Sequence, residues 1–288
     1  MQASLIVLAL LLAASPAAAA TAYITNEKGN SITTVDLDKL VAVKTVDVGQ
    51  RPRGIALSKD EKLVYVCLGD DDSIAILDAK TLQRVGELPS GVDPEQIRLS
   101  PDGKLAFVAN ENDALLTAID LESKRAVVEV PVGVEPEGVA VSRDGEIIIN
   151  TSETTSMAHF IDWRAKKVVA NVLVGARPRY AEYTPDGKQL WVSSEVGGVV
   201  SVIDPEKHVV TAKISFAVPG LAKEQIQPVG IRFSPDGKQA FVALGPANRV
   251  AIVDTATLKP TKYLLVGQRV WQLELTPDGK TLVSTNGV

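Results

Sequence analysis

The chain has 288 residues, 45% apolar and 23% charged, a globular composition long enough for one large β domain or two smaller ones. A formal charge of −5 and a pI near 5.3 leave no basic face for a phosphate backbone, so no nucleic-acid partner is expected. The single cysteine, Cys67, excludes an internal disulfide or thiolate cluster, and two histidines, His159 and His208, leave little for a histidine metal site.

In chain order, the first element is "SLIVLALLLAASPAAAA", an apolar run that gives way to small residues, with an A-x-A site at Ala18-Ala19-Ala20 before Thr21. It falls short of the ~20 apolar residues that span a bilayer. No Lys or Arg precedes it. We expect residues 1–20 to be a secretory signal and the mature protein to be periplasmic or secreted, without a membrane span; a retained membrane anchor is the other reading.

From Thr21 onward the chain repeats itself. Units begin at 21, 63, 105, 147, 189 and 239, spaced by 42 residues except for one of 50, and each ends in a variant of Ser-Pro-Asp-Gly-Lys. Short runs rich in β-branched residues, such as "SIAILD", "VSVID" and "VAIVD", read as strands. A period near 40 with four strands per unit is the pattern of a propeller blade. Innermost strands are predicted near 54–58, 95–100, 137–142, 179–184, 229–234 and 270–276. The third strand of each unit ends at Asp36, Asp78, Asp120, Asp162, Asp204 or Asp254, each expected to cap its own hairpin turn rather than to bind metal.

The pieces Tyr23-Ile24-Thr25-Asn26, Val200-Ser201-Val202-Ile203-Asp204 and Pro228-Val229-Gly230-Ile231 resemble the repeat of the YVTN β-propeller family. The layout, including the closing "TPDGKTLVSTNGV", is similar to a subgroup associated with PQQ-dependent alcohol catabolism. The resemblance implies one all-β propeller domain over 21–288. It also implies an accessory role beside a periplasmic quinoprotein dehydrogenase, a cytochrome c or a transporter component, with no chemistry or cofactor of its own. Residues 22–48 supply three outer strands, and "TLVSTNGV" reads as the second strand of a further blade. We therefore expect four-stranded antiparallel blades in a seven-bladed propeller whose last blade is truncated, with six blades as the alternative.

In such a fold the loop entering each innermost strand lies at one rim of the central channel. The residues before its proline are Arg51, Asp93, Glu135, Arg177, Gln227 and Arg269; those after it include Arg53, Glu95, Glu137, Arg179 and Trp271. They are expected to form two stacked rings. Every basic member is Arg, which suits bidentate carboxylate recognition. The same mixture also fits a ring of mutually neutralising ion pairs. Acidic hairpins with Glu27, Asp70, Asp71, Asp72, Glu111, Asp113, Glu153 and Glu195 share the rim and suit either a solvated face or the docking of a basic partner. Eight extra residues in "FAVPGLAKEQIQP" lie beside it. An enzymatic alternative is a lactonase or lyase with a divalent ion on Asp93, Glu95, Glu135 and Glu137. A haem propeller would need an axial histidine, which neither His159 in a third strand nor His208 beside a turn is placed to supply.

Overall fold

A computed structural model describes residues 20–287, so the expected signal lies outside the described residues but for Ala20. Every regular element is a strand apart from two single 3-10 turns. Blade I holds β1 (Thr21–Asn26), β2 (Ser31–Asp36) and β3 (Val41–Asp47). Blade II holds β4 (Pro52–Leu57), β5 (Leu63–Leu68), β6 (Ser73–Asp78) and β7 (Arg84–Pro89). Blade III holds β8 (Pro94–Leu99), β9 (Leu105–Asn110), β10 (Leu115–Asp120) and β11 (Arg125–Pro131). Blade IV holds β12 (Pro136–Val141), β13 (Ile147–Ser152), β14 (Met157–Asp162) and β15 (Lys167–Leu173). Blade V holds β16 (Pro178–Tyr183), β17 (Leu190–Ser194), β18 (Val199–Asp204) and β19 (Val209–Ser215). Blade VI holds β20 (Ile231–Phe233), β21 (Gln239–Ala243), β22 (Arg249–Asp254) and β23 (Lys259–Leu265). A final hairpin pairs β24 (Val270–Leu275) with β25 (Leu282–Asn286).

Neighbouring strands in each sheet are antiparallel and consecutive, so the blades are plain meanders. The innermost strands β4, β8, β12, β16, β20 and β24 touch one another in that order, and β1 touches β4. The core lies between blades. Phe107, Leu116 and Val130 of blade III interlock with Val139, Ile148 and Ile161 of blade IV, and Trp191 of blade V meets Phe233 edge-on with ring centroids 5.0 Å apart. Burial of these β-branched and aromatic faces is the main stabilising term. Contact between innermost strands is close enough to demand glycine: a Cβ at Gly54 would stand 2.6 Å from the Glu95 carbonyl oxygen, and one at Gly230 2.7 Å from that of Trp271.

The blade count corrects the expectation of seven. Among the described residues six sheets have three strands or more, five of them four-stranded, and no seventh blade is built. β25 forms where "TLVSTNGV" was expected to, but the hairpin remains a two-stranded flap on the flank of blade VI. Its buried apolar residues pack on blade VI: Val270 and Leu273 are buried against Val229, Ala243 and Val250, while β25 is half-exposed. A two-stranded unit has too little apolar surface to stand alone, so it depends on this packing.

Among the described residues no helix is long and apolar enough to cross a membrane. The eight-residue insertion is packed rather than loose. Phe216, Val218 and Ile226 are buried in the core of blades V and VI around a 3-10 turn at Lys223–Gln225.

Candidate functional site

The rim is assembled by the backbone. Arg51, Asp93, Glu135, Arg177 and Arg269 all adopt left-handed backbone, with φ between 48° and 58°. Non-glycine residues pay roughly 1 kcal/mol or more for this conformation. It is held because the carbonyl of each accepts the N–H of the residue that follows the second strand of its sheet: Gly69, Glu111, Glu153, Glu195 and Gly287, at 2.8–3.1 Å. In β4, β8, β12 and β24 the register slips between the proline position and the third residue after it, and in β16 between the proline and the second residue after it. A bulge re-aims side chains. Here it brings residues on both sides of the proline to one rim, as the two-ring expectation requires.

What the rim carries is a continuous ion-pair network. The Arg51 guanidinium binds Asp93 and, at 2.7 Å, Glu95; Arg53 binds Glu95, Glu137 at 3.1 Å and Glu27 at 3.1 Å. Arg179 binds Glu153, Glu137 at 3.1 Å and Glu195 at 2.8 Å, and Arg177 binds Glu153 at 2.7 Å. Glu137 thus sits between Arg53 and Arg179, which come from blades II and V. Glu95 and Glu137 are 1% and 2% exposed, so these are buried pairs and not the weak surface kind. Of the acidic hairpin residues, Glu27, Glu153 and Glu195 enter the network, and Asp70 and Glu111 flank Arg51 at 3.9 Å. Asp71 and Asp72 instead accept backbone N–H groups, of Gln50 at 2.8 Å and of Asp93 at 2.9 Å.

Three expected members behave differently. Gln227 folds back, its side-chain amide donating to the Glu224 carbonyl at 3.1 Å, and takes no part. Glu135 accepts from the Thr154 hydroxyl and, with Glu153, Thr154 and Arg177, lines an open recess of about 280 Å³. Trp271 closes the far side under two guanidiniums, with Arg179 5.4 Å and Arg269 5.6 Å from its ring centroid.

Carboxylates outnumber cations here. Glu27, Asp70, Asp93, Glu95, Glu111, Glu135, Glu137, Glu153 and Glu195 stand against the guanidiniums of Arg51, Arg53, Arg177, Arg179 and Arg269. The titration behaviour follows. Burial and the Glu137 charge push Glu153 up to about 7, against the pull of Arg179 and Arg177. Burial, again with Glu137, raises Glu95. Arg53 is also raised, because Glu137, Glu95 and Glu27 outweigh its burial. Both directions are satisfied when Glu95 holds its proton while Arg53 stays charged.

The four carboxylates of the metal-enzyme alternative do not converge: Glu137 is held between two arginines and Glu135 lies in the recess. The tightest acidic group is Asp93, Glu95 and Glu111, whose oxygens lie within 4.8 Å of one another. The Arg51 guanidinium already bridges Asp93 and Glu95, so a divalent ion would have to displace it.

Sequence reasoning missed two clusters. One surrounds His159. The N–H of Gly133 donates to His159 Nε2 at 3.1 Å, which leaves the ring proton on Nδ1 for Asn171, and Ser152 Oγ lies 3.0 Å from Nε2. Burial lowers the His159 pKa. The arrangement has the members of a nucleophilic triad, but Ser152 is fully buried, so it binds strands together instead of meeting substrate. His208 packs against Phe160 with ring centroids 4.6 Å apart and the rings tilted by 55°. The second cluster lies within the channel, four residues after the loop proline: Arg98, Glu182, Arg232 and Glu274, with Tyr180. The signal was present, since Arg98, Glu182, Arg232 and Glu274 occupy one position of the repeat, inside strands that otherwise read as apolar.

A family model of the cytochrome D1 heme domain matches residues 66–174, and one of YNCE-like β-propellers matches residues 3–115. Among solved structures, hydrazine synthase of Kuenenia stuttgartiensis is similar with a TM-score of 0.83 over 92% of this chain and 88% of that one, at 24% identity. At that identity the likeness is one of fold. No curated protein matches the chain.

Proposed function

We propose that this β-propeller is an exported, non-catalytic docking protein that presents its acid-rich channel mouth to a basic protein partner. The observation that carries this is the excess of carboxylates over guanidiniums at the rim, where burial and the Glu137 charge push Glu153 up to about 7 even beside Arg179 and Arg177. A basic partner would supply the missing charge and would be steered to it. Export follows from the A-x-A site before Thr21. The motif resemblance sets the role more narrowly, as an accessory of periplasmic PQQ-dependent alcohol oxidation. On that reading the partner is a cytochrome c, a quinoprotein dehydrogenase or a transporter component. A small basic cytochrome c is the simplest probe.

The test is calorimetric titration of a basic cytochrome c into the protein at low and at physiological ionic strength. We expect a complex at low salt that weakens steeply as salt rises. Neutralising the half-buried rim carboxylates, as Glu111→Gln with Glu135→Gln, should weaken it further. No complex at low salt, or one indifferent to both salt and substitution, overturns the proposal. Hydrolysis of a lactone abolished by chelator would move the assignment to the metal-dependent alternative at Asp93, Glu95 and Glu111.

A further inference from the structure

Below the rim, the channel carries a second layer of charge built on another plan. The position four residues after the loop proline is Ala56 in blade II, Arg98 in blade III, Ala140 in blade IV, Glu182 in blade V, Arg232 in blade VI and Glu274 in the terminal hairpin. Arg232 is fully engaged: its Nε and Nη2 grip the Glu274 carboxylate at 2.8–3.1 Å, and its Nη1 lies 3.2 Å from Glu182. Arg98 is not. Its Nη1 donates to its neighbour's carbonyl, at Ile97, and its Nη2 to the Tyr180 hydroxyl; among the described residues no carboxylate lies within 4 Å of it.

Arg98 and Arg232 therefore converge on one oxygen. Both donate to the Tyr180 hydroxyl, which itself donates to Glu182 at 3.1 Å, and each guanidinium carbon lies 5.3 Å from the Tyr180 ring centroid. Two like charges separated by a single neutral oxygen repel one another, and an anion between them would remove that repulsion. The blades flanking Arg98 carry only alanine at this level, so they leave uncovered the part of the guanidinium that the Tyr180 ring does not cover. Water reaches the cluster: the Arg232, Glu182 and Glu274 side chains are 17%, 29% and 68% exposed.

We propose that the channel holds a binding site for a small monocarboxylate, seated on the Arg98 guanidinium beside the Tyr180 hydroxyl. The fork of donors on Arg98 matches the two oxygens of a carboxylate. Arg98 and Arg232 stand against Glu182 and Glu274, so a protonated Glu182 leaves one positive charge unmatched, which favours a monocarboxylate over a phosphate dianion. Glu182 tunes the site. Burial pushes it up to about 7 against the pull of Arg98, and the charged groups that face it are Arg98 from β8, Arg232 from β20 and Glu274 from β24. A protonated Glu182 leaves the cluster more positive, so binding strengthens as the pH falls below 7.

The full chain is titrated with acetate, at ionic strength held constant with chloride, and the melting temperature and binding heat are followed. We expect saturable one-site binding at pH 6 that weakens several-fold by pH 8, with inorganic phosphate binding more weakly. Arg98→Gln should reduce acetate affinity at least tenfold. Glu182→Gln, which keeps the shape but not the titration, should make the affinity indifferent to pH, and this arm stands if the Arg98 variant fails to fold. Acetate behaving like chloride, acetate binding that survives Arg98→Gln, or phosphate binding as well as acetate would each overturn the proposal. The site is separate from the docking rim, so failure of one test leaves the other standing.

Discussion

The two ends of the innermost strands make their turns by opposite means. At the rim the backbone makes the turn, through a left-handed residue whose carbonyl is bound to the neighbouring hairpin. At the other end the side chains make it. Ser58, Ser100, Thr184, Ser234 and Thr276 each donate to the aspartate two residues on, at 2.6–2.7 Å. Each also accepts the N–H of the residue five on, at 2.9–3.1 Å. A side chain that closes its own turn cannot vary without opening it. A side chain attached to a backbone-made turn can. That is why the letters beside the proline change charge from blade to blade while Ser/Thr-Pro-Asp-Gly-Lys is nearly constant, and why the rim is where a function can be written.

The largest break in this contrast is expected where a variable rim position has become buried. Arg179→Met removes the cation shared by Glu137, Glu153 and Glu195, and we expect a loss of about 3–5 kcal/mol in urea unfolding. Protons can partly replace that cation. A carboxylate whose folded pKa lies above its unfolded value adds stability below the unfolded value and loses it as pH rises through the folded one, and Glu153 already stands near 7. The loss should therefore be smaller at pH 5.5 than at pH 8. Equal losses at both pH values would show that the carboxylates are not competing for protons.

A smaller effect tests the side-chain-made turns. Ser142 donates to Asp144 and accepts from the Ile147 N–H at 2.9 Å, so Ser142→Ala should cost about 1 kcal/mol. Glu135→Asn, at a half-buried rim position where asparagine tolerates left-handed backbone, should stay within about 0.5 kcal/mol. Parity between the two variants in chemical denaturation would erase the distinction between the ends.

The smallest expected change is a gain. Five copies of the far turn place glycine in left-handed backbone, at Gly103, Gly145, Gly187, Gly237 and Gly279, whereas the first copy places Glu61 there at φ 59°. Glu61→Gly should raise stability by about 0.5–1 kcal/mol, read as a modest rise in melting temperature. A fall would mean that the Glu61 side chain holds the turn in some other way.

Much of this was legible in the chain. The six aspartates ending the third strands do cap their own turns: Asp78 accepts the Thr81 N–H at 2.7 Å and Asp120 that of Ser123 at 2.7 Å, and the same bond recurs at Asp36, Asp162, Asp204 and Asp254. The rim rings were legible as positions, because the repeat period puts equivalent residues around one axis. Gln227 was misplaced because the insertion beside it supplies a nearer partner, the Glu224 carbonyl. The Arg98 layer was passed over because a charged residue inside an apolar strand looks like an exception until the channel is there to receive it.

By itself, the sequence determined the blade: period, strand order, turn chemistry and the end of the strand at which charge is free to vary. All of these are set by contacts within about 40 residues of chain, where spacing fixes who meets whom. Only the tertiary structure decided the number of blades, which of the rim charges neutralise one another, and that Arg98 is left without a carboxylate. Those outcomes depend on contacts between blades, such as Arg53 with Glu137 and Arg98 with Tyr180, separated by 84 and 82 residues. The period does place neighbours such as Arg51 and Asp93, or Arg232 and Glu274, 42 residues apart, but it does not say which blade carries which charge or which pairs reach across the axis.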